Sequence, residues 1–124
     1  MAVGPIPGVT LTSRAERGYT IAALTGKLDL ASAPALRERL RRLLRPAASR
    51  LVIDLSGVSH ADVSGLTVLV GTGHRARLIG GLLRLAAPTP AVTGALEATG
   101  LSAHFDIYPT VGAAISEAAL ATAH

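Results

Sequence analysis

Cysteine is absent from the 124 residues, which excludes disulfides, thiol nucleophiles and cysteine-ligated metals. Aromatic residues are almost as scarce, at 2% of the chain with no tryptophan. A domain with so few rings must build its core from aliphatic side chains. It also lacks the stacking surfaces with which proteins bind single-stranded nucleic acids. The two absences together favour an aliphatic globular domain without thiol chemistry.

Charged residues are also few, at 16% against 49% hydrophobic residues, and the mean hydropathy is +0.45. This composition excludes an intrinsically disordered chain, and the length suffices for one core but is marginal for two. Residues 1–12 lack the basic start of a signal peptide, and no uncharged apolar run reaches membrane-spanning length. We therefore expect a cytoplasmic protein with one domain over residues 9–120 and short tails at 1–8 and 121–124.

The formal net charge is +4 and the sequence pI is about 10.7, with Lys27 as the single lysine. Such a charge makes nucleic acid a possible partner, but the arginines are spread along the chain and an acidic protein is an equally suitable one. Arg37, Arg41 and Arg45 are spaced at i, i+4 and i+8 on a predicted helix. This row is typical of a solvated face, and alternatively of a contact stripe for acidic protein or nucleic acid.

Short strands alternate with helices along the predicted chain. The runs TLTS and YTIAALTG predict a strand pair separated by Arg14–Gly18. Leucines at helical spacing then predict a helix that has Ser32 as its N-cap and stops before Pro46. The remaining segments are predicted as strand 50–57, helix from Ser64 to about 80–81, strand 82–88, helix 89–99 terminated by Gly100, strand 104–109 and helix 110–122.

This order predicts an α/β fold with a central mixed, mostly parallel β-sheet, an antiparallel edge strand and about four helices. In open sheets of this class, functional residues collect beyond the carboxyl ends of the strands. The stretch HADVSGL, residues 60–66, lies at such a strand end.

Asp62 and Ser64 in this stretch can be explained by local structure or by function. Ser64 can act as the N-cap of the following helix, or Asp62 can cap the helix by itself. A helix N-terminus also stabilises a bound phosphate, and a carboxylate beside it can orient or deprotonate a hydroxyl. The residues alone leave these alternatives open.

Three blocks in order resemble the STAS domain family, in particular the bacterial anti-sigma factor antagonists: TGKLDLASAPALRERL (25–40), LVIDLSGVSHADVSGLTVLVG (51–71) and GGLLRLAAPTPAVTGALEATGL (80–101). The resemblance runs from about Val9 to Ala119. It implies a single STAS-like domain that binds an anti-sigma factor, often a serine kinase in this family, and so releases a sigma factor for transcription. It also implies a regulatory binding module, not an enzyme, that needs no cofactor, metal or membrane.

The resemblance further implies a partner-binding surface and a place for a phosphate switch. The usual phosphoacceptor of the family directly follows the aspartate of the turn, and here that residue is Val63, which has no hydroxyl. Either Ser64 has become the phosphoacceptor, or the protein binds its partner without a phosphate switch at this turn. We favour the second, because Ser64 is expected to cap the helix. The expected partner-binding residues are Asp29, His60, Asp62, Val63, Ser64, Gly65, Leu66 and Thr67.

Asp29 belongs to TGKLD, which matches the Gly-Glu-Leu-Asp of the family except that Lys27 replaces the acid. A basic residue in place of an acidic one predicts a different set of partners if the partner contacts this surface. The resemblance implies that Asp29 lies close to the HADVSGL turn in the folded domain. Alternatively, Asp29 only forms the turn before Ser32.

Two other functions stay open at this point. One is a STAS scaffold or signalling module that binds another protein or a nucleotide. The other is a Mg²⁺-dependent phosphoacceptor domain that uses Asp29, Asp54 and Asp62 as its carboxylate cluster. The histidines have no metal-binding spacing and no GxxxxGK motif occurs, so no catalytic constellation is expected. The oligomeric state cannot be predicted from these residues.

Overall fold

The computed structural model describes residues 8–116, which begin with a β-hairpin. Strand β1 (Val9–Glu16) pairs antiparallel with β2 (Tyr19–Leu28), and Glu16 lies opposite Tyr19. The two turn residues, Arg17 and Gly18, both have positive φ, at 52° and 82°. Turns of this kind match the twist of the flanking strands. The predicted loop Arg14–Gly18 is therefore too long, because its first three residues continue β1.

Within residues 8–116, five strands follow one another across the sheet in the order in which they occur in the sequence. The last three strands are β3 (Arg50–Ala61), β4 (Leu82–Ala86) and β5 (Asp106–Tyr108). Strands β2, β3, β4 and β5 are parallel, and β1 is the antiparallel edge. The predicted mixed, mostly parallel sheet is confirmed.

In the described part of the chain, four helices connect or follow the strands, as predicted. They are α1 (Ala33–Leu43), α2 (Val63–Leu78), α3 (Pro90–Thr99) and α4 (Val111–Ala114), and a 3₁₀ turn (Leu101–His104) follows α3. Gly100 ends α3 in the left-handed conformation, with a φ of 72°, as expected for a glycine C-cap. The end of the predicted helix 110–122 and the predicted tails, apart from Gly8, lie outside the described residues.

Strand β3 is buried on both faces over its first half, which confirms the interpretation of its aliphatic run. Leu51 and Ile53 join the larger core, which also includes the buried leucines of α1 and α2. Val52 points to the other face, where it packs with Tyr19 and Ala114. The sheet therefore separates a large aliphatic core from a smaller one under α4.

Arg84 of β4 is buried in the smaller core, with 1% of its surface exposed. Its Nη1 donates hydrogen bonds to the Tyr19 hydroxyl, at 2.8 Å, and to the Ala114 carbonyl, at 2.7 Å. The guanidinium also lies 5.5 Å from the Tyr19 ring centroid and 5.4 Å from that of Tyr108. A buried cation is stable only when its donors have acceptors. Because the acceptor Ala114 belongs to α4, the contacts of Arg84 hold α4 against the sheet.

The first turn of α2 packs directly on the end of β2. The Asp62 amide donates to the Leu28 carbonyl at 2.9 Å. A Cβ on Gly65 would lie 2.5 Å from both the carbonyl carbon and the carbonyl oxygen of Leu28. Only a residue without a side chain permits this approach, so Gly65 fixes where α2 begins relative to β2.

Replacing Gly65 with alanine is expected to destabilise the domain by about 1–3 kcal/mol, the usual cost of overpacking. The matched control is Gly94→Ala in α3, where an added Cβ would meet no atom within 4 Å. This control should gain up to about 1 kcal/mol, since alanine favours a helix over glycine. Urea unfolding followed by circular dichroism measures both changes. Equal stability of the two variants would contradict the close approach.

Candidate functional site

Helix α2 begins one residue earlier than predicted, and Asp62 is its N-cap. The Asp62 backbone is extended, at φ −133° and ψ −178°, and its Oδ1 accepts hydrogen bonds from the amides of Ser64, at 2.9 Å, and Gly65, at 3.3 Å. The prediction that Ser64 caps this helix is wrong, because Ser64 already lies inside the first turn. The alternative, in which Asp62 caps the helix by itself, is confirmed.

This cap changes the electrostatics of the helix start. An N-terminus usually presents free amides and the positive end of the helix dipole to an incoming anion. Here a carboxylate of the chain already accepts from two of these amides. The start of α2 is therefore not a vacant phosphate site.

The outward face of the turn consists of His60, Val63 and Thr67, all of which are exposed. The side chain of Val63 is apolar and yet 55% exposed. Ser64 is half-buried beside it, and Nε2 of His60 lies 4.0 Å from Oδ2 of Asp62. The structure thus brings most of the predicted binding residues onto one accessible patch.

Gly65 and Leu66 belong to the interior instead of the surface. Leu66 is fully buried in the larger core, and Gly65 packs on Leu28. A partner cannot reach Gly65 or the Leu66 side chain without unfolding the turn. They support the exposed residues from beneath.

Asp29 forms the turn that leads into α1. Its amide donates to Oγ of Ser32 and its Oδ1 accepts from the Ser32 amide, both at 3.0 Å. Ser32 occupies the predicted N-cap position, but its side chain makes no bond to the helix and donates to the Lys27 carbonyl at 2.9 Å. The turn-forming role of Asp29 is confirmed. Because Asp29 directly follows Leu28, this turn lies beside the start of α2.

The starts of α1 and α2 enclose a groove of about 380 Å³, which we call the turn groove. Leu30, 74% exposed, forms one wall opposite Val63 and Ser64. The sequence prediction missed Leu30 and Arg37 as site residues. An apolar residue in a polar turn is the only signal that could have indicated Leu30. The turn groove is lined by Leu30, Ala33, Pro34, Arg37, Val63, Ser64 and Thr67.

A second groove of about 340 Å³, the helix groove, follows the same two helices toward their C-terminal ends. Arg37 lines both grooves, so the two grooves adjoin at this residue. Arg45 of the predicted arginine row does not lie on α1, because the helix ends at Leu43, before Pro46. The helix groove is lined by Arg37, Arg41, Val68, Gly71, Thr72, His74, Arg75 and Leu78.

The carboxylates considered as a magnesium cluster serve local roles. Asp29 forms the turn before α1, and Asp62 caps α2. Oδ1 of Asp54 accepts from the Ser56 amide at 3.0 Å. Within residues 8–116, no three histidine, aspartate or glutamate side chains are grouped so that they could hold a metal ion. None of the helices in this range has both the length and the apolar character needed to cross a membrane.

Comparison with known proteins identifies the family. The family described as STAS domain matches residues 11–114. This chain belongs to the STAS domain family. The family predicted from the three sequence blocks is therefore confirmed.

Named relatives of this STAS domain include the anti-sigma-B factor antagonist of Bacillus subtilis, which is 38% identical over 84 residues, 68% of this chain and 76% of the relative. An anti-sigma-F factor antagonist of Mycobacterium tuberculosis is 31% identical over 67 residues, 54% of this chain and 55% of the relative. The crystal structure of an anti-sigma factor antagonist from Mycobacterium paratuberculosis superposes with a TM-score of 0.74 and 29% identity, over 86% of this chain and 92% of that one.

The assignment of the helix cap in this STAS domain can be tested by stability. Asp62→Ala is expected to cost about 1 kcal/mol, because two helix amides lose their acceptor. Asp62→Asn should preserve most of the stability, since an amide oxygen can cap equally well. Ser64→Ala should be close to neutral. Urea denaturation measures the stability of all three variants. A larger loss of stability for Ser64→Ala than for Asp62→Ala would show instead that Ser64 caps the helix.

Proposed function

We propose that this STAS domain is an anti-sigma factor antagonist: it binds an anti-sigma factor and so releases a sigma factor for transcription, in the cytoplasm. Its similarity to proteins that are named antagonists supports this function. The single structural observation that carries the proposal is the exposed turn at the start of α2. There Val63 and Leu30 present apolar side chains to solvent across the turn groove.

The binding surface comprises the exposed face of the turn and the adjacent wall. Val63 and Leu30 are 55% and 74% exposed, and covering such apolar area is favourable by about 25 cal/mol per Å². His60, Ser64 and Thr67 surround them with polar groups, which give a contact its orientation. Asp29 and Asp62 stabilise the two turns through their hydrogen bonds to nearby backbone amides.

We propose that binding at this turn does not depend on phosphorylation. Val63 has no hydroxyl, and that of Thr67 donates to the Val63 carbonyl at 2.6 Å. The Ser64 amide donates to the Asp62 carboxylate, so a phosphate on Ser64 would add roughly two negative charges beside the helix cap. Ser64 is also half-buried, whereas position 63 is 55% exposed. Ser64 is therefore disfavoured as an acceptor.

The function is tested with the anti-sigma factors encoded in the source genome, each purified and titrated by calorimetry. Wild-type protein is expected to bind at least one of them and to restore sigma-dependent transcription in vitro. Val63→Asp should weaken binding at least about tenfold, because a charge would be desolvated in an apolar contact. The control Ile107→Asp changes an exposed apolar residue of β5 and should bind normally. Absence of binding to every anti-sigma factor would refute the function.

The absence of a switch is tested by incubation with the bound anti-sigma factor and ATP, if that factor is a kinase. Mass spectrometry of tryptic peptide 51–75 is expected to show no phosphate in the wild type. Val63→Ser should acquire one, because a hydroxyl then follows Asp62. A phosphate on Ser64 of the wild-type protein, lost in Ser64→Ala, would instead establish Ser64 as the acceptor.

A further inference from the structure

Exposed apolar side chains are concentrated along one face of the described domain. Of its four exposed large apolar residues, Leu30, Val63 and Leu78 line the two grooves between α1 and α2, and only Ile107 lies elsewhere. Leu78 is 86% exposed at the far end of the helix groove. A single exposed apolar side chain is ordinary, but three that line two adjoining grooves indicate a binding surface.

The combined length of the two grooves suits a helix. Val63 in the turn groove and Leu78 in the helix groove lie at the two ends of α2, and the 16 residues of that helix span about 24 Å. A groove between two packed helices accepts the ridge of side chains of a third helix. Such a ligand would place apolar residues at i, i+3, i+4 and i+7 against the floor.

The rim of the helix groove is basic. Arg37 and Arg41 project from α1, and His74 and Arg75 from α2, while no acidic residue lines either groove in the described domain. The ion pairs within residues 8–116 lie outside the helix groove and join Arg14 to Glu16, Arg42 to Glu38 and His60 to Asp62. The groove arginines are therefore available for carboxylates supplied by another molecule.

We propose that the adjoining turn and helix grooves between α1 and α2 bind an acidic amphipathic helix of a partner protein. The apolar side of that helix would cover the exposed side chains of Val63 and Leu78, and its carboxylates would pair with Arg41 and Arg75. The identity of the partner as an anti-sigma factor rests on the proposed function. The groove itself extends the contact surface well beyond the turn at residues 60–67.

Two other ligands fit the groove less well. Nucleic-acid interfaces are polar and strongly positive, and a nucleic acid would pair with the groove arginines. It would, however, leave the exposed apolar side chains of Val63 and Leu78 uncovered. A flat membrane surface cannot reach the floor of a concave groove, even though basic and apolar residues occur together there.

The test is an NMR titration of the ¹⁵N-labelled protein with a synthetic 16-residue peptide that has leucine at helical i, i+3, i+4 and i+7 spacing and glutamate elsewhere. The amide signals of Gly71, His74 and Arg75 are expected to shift. The same peptide with lysine in place of glutamate should bind at least about tenfold more weakly, and added salt should weaken only the glutamate peptide.

Matched variants separate the groove from net charge. Arg41→Glu with Arg75→Glu should weaken glutamate-peptide binding at least about tenfold. Arg42→Glu with Arg77→Glu changes the same charge in the last turns of the same two helices, at residues that do not line the groove, and should have little effect. Equal loss in both double variants, equal binding of both peptides, or tighter binding of a 20-base-pair DNA duplex would overturn the proposal.

The two proposals fail in different ways. If an anti-sigma factor binds the wild type and the Arg41/Arg75 double variant equally well, the groove inference is wrong and the antagonist function stands. If no anti-sigma factor binds while the glutamate peptide occupies the groove, the antagonist function is wrong and the acidic-helix site stands.

Discussion

The contact between the end of β2 and the first turn of α2 determines the geometry of the whole candidate surface. Gly65 lies against the Leu28 backbone, and the Asp62 amide donates to the Leu28 carbonyl. Because Leu28 also leads directly into the Asp29 turn, one close approach fixes the starts of α1 and α2 side by side. The turn groove exists because two chain segments far apart in sequence meet at a glycine that has no side chain to separate them.

The same contact explains why the turn carries an aspartate. With its backbone extended and its amide held by Leu28, Asp62 can direct its carboxylate back onto the amides of Ser64 and Gly65. The helix dipole is thereby compensated by a group of the chain itself. The Val63 side chain is left outward-facing, and because it carries no polar group, it favours an apolar contact over an ionic one at this position.

The class of fold could be predicted because it depends on periodicity. Leucine spacing in α1 and aliphatic runs in β3 and β4 determine which faces are buried, and the order of elements then implies a mixed sheet. The limits of elements were less accurate. Residues 14–16, predicted as loop, form part of β1 because their pairing with β2 outweighs their polar character. Arg45, predicted to lie on the helix, lies outside α1 because the following Pro46 disfavours helical backbone at this residue.

The grooves could not be predicted, since they depend on how α1 and α2 pack against each other. The row of Arg37 and Arg41 was visible in the sequence, but its opposition to Arg75 and Leu78 is a tertiary fact. Similarly, the choice between Asp62 and Ser64 as the cap depends on which backbone is extended. Local propensity cannot decide that when both residues are good caps.

The sequential arrangement of the strands also bears on how the domain forms. Each strand lies next to the one before it in the chain, so every pairing closes a loop no longer than one connecting segment. Short loop closures lower the entropic barrier and speed folding. Because the sheet neighbour of each later strand precedes it in the chain, the sheet can extend in one direction from the hairpin, one strand at a time.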